Sequence, residues 1–187
     1  MKNFTKLLLI TILVCAMLLC GCSKLPENPV VATPKTFTKD GMSITLTDSF
    51  SESTQEGFTA VYKSTNTVFK SSLDSINCIT VKKESFDSFS NLNITADSTL
   101  IDYAQAVMEA NHLGCLEVKT AYDGQITYFT FEEYPDSILH VATVFKSADA
   151  FWLIQFSSPL ITVASDYCYE NIAVSQSLSS AATVTIE

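Results

Sequence analysis

The sequence predicts an α+β protein in three layers, a three-layer α/β/α sandwich with a mostly antiparallel sheet flanked by two main helices. Three observations lead there. The later half of the chain alternates apolar and polar residues with period two between turn residues, as in Gln125–Glu133, Ile138–Lys146 and Ala150–Ser157. Two Asp-Gly pairs, Asp40-Gly41 and Asp123-Gly124, suit tight hairpins, whose two central residues need positive φ. Two stretches, Thr99 to Asn111 and roughly Leu160 to Leu178, space their apolar residues as helices do. With 12 Phe and 7 Tyr in 187 residues, there is apolar material for one sizeable core.

Met1 to Lys6 holds two lysines and no acid, and Leu7 to Leu19 is apolar but for Thr11. That run is shorter than the ~20 residues a membrane-spanning helix needs. A positive start, a short apolar run and a small residue before a cut are the parts of a secretory signal peptide. Leu19-Cys20-Gly21-Cys22 resembles the bacterial lipobox: an aliphatic residue, a variable one, a small one, then Cys. The resemblance implies lipid attachment at Cys22, a diacylglyceryl group on its thiol, with cleavage after Gly21. Cys20 is the poorer acceptor, because bulky Leu19 precedes it. Two acyl chains hold a protein stably where one does so only marginally. Residues 1–21 are therefore expected as signal peptide. The anchor would place the chain on the extracytoplasmic face of the cell membrane, or on an outer membrane in a two-membrane cell.

Residues 22–35 contain three of the five prolines, Pro26, Pro29 and Pro34, and are expected as an extended tether. A single domain is expected over 36–187. It opens with a hairpin from Thr36 to Leu46 about Asp40-Gly41, with Met42, Ile44 and Leu46 on one face. Gly57–Lys63 and Ile76–Lys83 read as strands, and Thr67–Ser72 as a strand end or loop. Thr99 and Asp102 form a capping box at the first helix, whose stripe is Leu100, Tyr103, Ala104, Val107 and Met108. Gly114 is the expected terminator.

A meander follows: Cys115–Tyr122, Gln125–Glu133, Ile138–Lys146 and Ala150–Ser157. Pairing through the turns, with Ser147–Asp149 as the last turn, puts Leu116, Val118, Phe129, Phe131, Ala142, Val144, Trp152, Ile154 and Phe156 on one face. Ile126, Tyr128, Leu139, Val141, Phe145, Phe151 and Leu153 fall on the other. Both faces are apolar, so both need covering. Glu117 and Lys119 suit the first strand to an edge. Pro159 opens the second helix, with Val163, Tyr167, Val174 and Leu178 as its stripe, and Ala182–Ile186 reads as a last short strand.

Several runs in this order resemble one known family: Thr38-Lys-Asp-Gly-Met-Ser-Ile-Thr-Leu46, Gly57-Phe-Thr-Ala-Val-Tyr62, the Tyr103-Ala-Gln-Ala-Val helix and Ala150-Phe-Trp-Leu-Ile-Gln-Phe156. Over about residues 36–187 the chain resembles small clostridial-type surface lipoproteins with a PsbP-like sandwich, named after an extrinsic subunit of photosystem II. The resemblance implies a docking or assembly role without catalysis, and it supplies no catalytic motif.

Charge narrows the partners. There are 11 Lys, no Arg and 20 acids; removing Lys2 and Lys6 leaves 9 Lys against 20 acids, a net of −11. Nucleic acid demands a basic footprint, so DNA or RNA partners are not expected. The acidity reads first as solubility, with a patch for a basic or cationic partner as the alternative. It is the resemblance that implies a protein partner. Cys78, Cys115 and Cys168 show no metal-binding spacing and are read first as buried thiols, with one disulfide or a metal site as the alternatives. His112 is placed at a helix C-terminus, and His140 on a strand between Phe131 and Phe156 as a structural histidine. Glu132 and Glu133 point to opposite faces and read as a solvated strand end rather than a glycosidase pair. Tyr134-Pro135 and Tyr167-Cys-Tyr169 read as ordinary packing, with an aromatic recognition edge as the alternative. No nucleophile elbow or phosphate loop is present, and no cofactor is expected. An envelope hydrolase or a small-ligand-binding lipoprotein stands as the alternative to a binding or scaffold module.

Overall fold

A computed structural model of the chain describes residues 33–53, 68–70, 76, 78–86, 94–114, 116–135, 137–159 and 166–187, with backbone alone at 53, 68, 70 and 166–170. The elements are β1 Pro34–Lys39, β2 Met42–Thr47, β3 Ser51–Ser53, β4 Val68–Lys70, β5 Cys78–Ser85, α1 Leu100–Ala110, β6 Lys119–Ala121, β7 Ile126–Glu133, β8 Ile138–Lys146, β9 Ala150–Pro159, α2 Asp166–Ala181 and β10 Thr185–Ile186. The strands form a seven-stranded sheet, β3-β4-β5-β9-β8-β7-β6, and a three-stranded one, β1-β2-β10. All the described pairings are antiparallel. Among the described residues the protein is thus α+β, mostly antiparallel, with two helices.

The large sheet is apolar on both faces and is covered on both. Tyr103, Ala104, Val107 and Met108 of α1 pack on Phe129, Phe131, Ala142, Val144, Phe151 and Leu153. On the other face Ile126, Val141, Trp152, Ile154 and Phe156 meet Leu178 and Ala181 of α2. Met42, Ile44 and Leu46 of β2 join that second cluster, so the small sheet shares the layer with α2. Alternation along β2 dictates this: its three apolar side chains are buried while Ser43, Thr45 and Thr47 are half-exposed.

Local chemistry explains most element ends. Asp40 and Gly41 have φ of 52° and 87°, the left-handed pair a two-residue hairpin requires. Asp123 and Gly124 repeat it at 55° and 85°. Thr99 caps α1: its side chain accepts from the Asp102 N–H at 3.1 Å, and its own N–H donates to the Asp102 carboxylate at 2.8 Å. The α1 terminator is not Gly114. His112 takes φ 60°, its N–H donates to the Glu109 carbonyl at 3.1 Å, and the Leu113 N–H reaches back to the Met108 carbonyl at 2.8 Å. This is a Schellman closure with histidine where glycine is usual.

Other expectations are corrected as well. Trp152, Ile154 and Phe156 face α2, whereas Phe151 and Leu153 face α1. The β8–β9 turn is one residue shorter than Ser147–Asp149: Ser147 N–H donates to the Ala150 carbonyl at 2.9 Å, and Lys146 pairs with Phe151. A one-residue slip in register exchanges the faces of a strand. Pro159 ends β9, paired with Ile138, instead of opening the helix, which is described over Asp166–Ala181 and so runs past Leu178, while 160–165 lie outside the described residues. The first meander strand is only Lys119–Ala121, at the sheet edge. β1 starts at Pro34, so the last two residues read as tether are strand. Within Thr67–Ser72, Val68–Lys70 is strand β4, and β3 has no counterpart in the sequence reading. Gly57–Lys63 lies outside the described residues.

α1 is fastened by specific contacts as well as burial. Tyr103 stacks on Phe151 with ring centroids 4.5 Å apart, and its hydroxyl donates to Glu84. Lys146 Nζ lies 5.2 Å from the Phe151 centroid and donates to the Ala96 and Ser98 carbonyls, at 2.5 and 2.8 Å, on the approach to α1.

Candidate functional site

Among the described residues, a dense polar constellation lies on the α1 face of the large sheet, along a row that crosses four strands. Register places Ser157 of β9 between Cys78 of β5 and His140 of β8, and His140 beside Phe131 of β7. Gln155 lies one step along β9 on the same face, opposite Thr80. His140, Ser157 and Cys78 have no solvent exposure.

Every ring atom of His140 that can bond does so. Nε2 lies 3.1 Å from Glu133 Oε2, whose side chain remains 22% exposed. Nδ1 lies 3.0 Å from Ser157 Oγ and 2.9 Å from Gln155 Nε2. An amide nitrogen is only a donor, so Nδ1 accepts and the ring proton sits on Nε2, donated to Glu133. The ring also stacks on Phe131 at 4.6 Å. Burial is the main influence on the imidazole and pushes its pKa below the usual 6.5; the hydrogen bond and charge of Glu133 pull the other way. Beside the row, Thr80 Oγ1 is buried without a hydrogen-bond partner.

Glu133, His140 and Ser157 are the residue types of an acid–base–nucleophile relay. Their geometry is that of a closed network, because Ser157 has no surface for an incoming substrate. Two surface grooves are lined by described residues, one beside α1 and one where α2 meets β2, and neither includes these three.

Other predicted site residues are placed as follows. Cys78 is a buried free thiol, as read. Cys22, Cys115 and the side chain of Cys168 lie outside what is described, as do the side chains of Tyr167 and Tyr169 on α2. His140 is buried on a strand as expected, but its β9 neighbour is Ser157, not Phe156, a second result of the shorter turn. Glu132 and Glu133 do diverge: Glu132 accepts from Tyr134 Oη at 2.7 Å, while Glu133 turns to His140. Glu133 is therefore not the solvated strand end it was read as. Tyr134 does not pack as expected, being 76% exposed, and the Glu132 carboxylate beside its hydroxyl raises its pKa. Gln155 and Ser157 went unnoticed in the sequence. Only the correct β8–β9 register would have set them against His140.

No family model and no curated protein matches the chain. It is similar to the solution structure of cyanobacterial PsbP (CyanoP) from Synechocystis sp. PCC 6803. The identity is 14% and the TM-score 0.47, over 89% of this chain and 99% of that one. A crystal structure from Bacteroides thetaiotaomicron VPI-5482 is similar over 82% of this chain and 48% of its own length, at 13% identity and a TM-score of 0.43. Among the described residues no three His, Cys, Asp or Glu side chains converge as a metal site would need. None of the described helices is long and apolar enough to cross a membrane.

Proposed function

We propose that the chain is a lipid-anchored extracytoplasmic protein, held by a diacylglyceryl group on Cys22, whose PsbP-like domain binds or assembles other proteins of the cell envelope without catalysing a reaction. The observation that carries the anchor is Leu19-Cys20-Gly21-Cys22 directly behind a lysine-flanked apolar run. Two acyl chains at about 0.8 kcal/mol per buried CH₂ give stable attachment. The binding reading draws on the acidic surface and on the closed state of the polar network, which leaves Ser157 unreachable. In cells fed a labelled fatty acid, the wild-type chain should take up label and be cut after Gly21, and Cys22→Ala should do neither. Label that persists in Cys22→Ala would overturn the anchor.

A second reading, an envelope hydrolase, is favoured by one observation: the Glu133–His140–Ser157 hydrogen-bonded series. A fluorophosphonate probe decides it. Covalent labelling that disappears in Ser157→Ala would establish an activated serine; an unlabelled native chain would leave the network structural.

A further inference from the structure

α1 ends in a negative field with no basic side chain in its last turn, although a cation is what the C-terminal end of a helix dipole favours. A groove of about 520 Å³ opens beside that end, between α1 and the residues Gly114, Leu116, Glu117 and Val118 that precede β6. Ile101, Met108, Leu116 and Val118 supply its apolar lining, and its charged residues are Glu109 and Glu117. Ile101 is 45% exposed on the helix surface although it is aliphatic. The nearest strand lysine does not neutralise the groove: Val118 packs toward the α1 core, so Lys119, the next residue and exposed, points the other way. β6 ends the seven-stranded sheet among the described residues, so the groove lies at an outer border of the fold.

We propose that this groove docks a short basic and apolar segment of a partner protein. An aliphatic side chain would cover Ile101, Met108 and Leu116, and a lysine or arginine would meet Glu109, Glu117 and the end of α1. This deepens the protein-binding reading above and rests on it. Charge complementarity selects the occupant. A second copy of this chain, with its net charge of −9 and no arginine, would bring like charge to the groove. A basic segment gains from both the carboxylates and the helix dipole, and the apolar lining supplies burial.

The test uses the full-length chain in neutral detergent and a short fluorescein-labelled peptide of alternating Lys and Val, followed by anisotropy. The peptide should bind and weaken as salt rises. The E109K/E117K double variant should bind it about tenfold more weakly, and Ile101→Ser should weaken it while keeping the salt dependence. Equal binding by E109K/E117K, or equal binding of a Glu/Val peptide, would overturn the proposal. A photocrosslinking residue at position 101, compared in cells with one at exposed position 172 on α2, separates this failure from that of the broader reading. Adducts from 101 that E109K/E117K abolishes support the groove. Adducts from 172 alone overturn the groove and leave protein binding standing. Adducts from neither position overturn both.

Discussion

His140 Nε2 lies 3.1 Å from Glu133 Oε2, joining β8 to β7 through a ring with no solvent exposure. Such a pair suggests an ion pair, but burial dominates and keeps the imidazole neutral, with its pKa below 6.5. The unfolded chain therefore takes up this proton before the folded one. Below about pH 6.5 unfolding binds protons, so stability is whole above that value and falls as pH drops toward the folded pKa. The loss should approach about 1.4 kcal/mol per pH unit while only the unfolded form titrates. Urea unfolding at a series of pH values should show this slope, and His140→Gln should flatten it. An equally steep profile in His140→Gln would place the proton uptake elsewhere.

Phe151 and Trp152 are adjacent in β9 yet serve different layers, one under α1 and the other under α2. Either change to Ala should cost about 3–5 kcal/mol. The local consequences should differ. Amide exchange should speed up first in α1 for Phe151→Ala, which removes the stacking partner of Tyr103. For Trp152→Ala it should speed up first in α2. The reverse pattern would restore the register first read from the sequence.

Thr99 closes the start of α1 by satisfying the Asp102 N–H. Thr99→Ala should lower stability by about 1 kcal/mol, while Thr99→Ser should stay close to wild type. Asp102 is held below the ordinary carboxylate range, chiefly by the Thr99 backbone N–H and then by its hydroxyl. Its contribution to the cap is therefore complete above about pH 4 and fades on acidification below that. NMR titration of Asp102 in Thr99→Ala should move its midpoint upward; an unmoved midpoint would separate the carboxylate from the cap.

His112 closes the other end of α1 in a left-handed conformation, at φ 60°. A side chain there costs about 1–2 kcal/mol, which glycine avoids at some cost in unfolded-chain entropy. His112→Gly should therefore raise stability by about 0.5–1 kcal/mol, read as a higher midpoint in urea. A lower midpoint would mean that the imidazole makes a contact stronger than the relief of strain.

The fold was legible where local chemistry decides it. The Asp-Gly pairs, the Thr99 box and the alternation of β7 and β8 are short-range signals, and the structure repeats them. The β8–β9 turn was the weak point, because Ser147-Ala-Asp-Ala150 carries no glycine to mark its type. The turn is instead set by the Ser147 hydroxyl, which accepts from the Ala150 N–H and bonds Asp149. That single residue of register decided the face of every β9 side chain, and with it whether His140 met Phe156 or Ser157. The end of α1 was missed for a related reason: a left-handed histidine looks like any other in sequence, whereas Gly114 is conspicuous. In the small sheet the β1–β2 hairpin was legible but its third strand was not, because β2 meets β10 across most of the domain, and no local pattern encodes such a pairing.

That last pairing carries a consequence for the order in which the chain appears. Ser43 and Thr185 share a 2.6 Å hydrogen bond across 142 residues, and the Thr45 N–H waits on the Thr183 hydroxyl at 2.9 Å. A chain emerging N-terminus first, from a ribosome or through a translocon, presents β2 early, with one side paired to β1 and the other bare. The bare side is a strand edge open to mispairing, and it stays so until residues near 185 arrive. The interval before those residues emerge is when this domain most needs a holding chaperone.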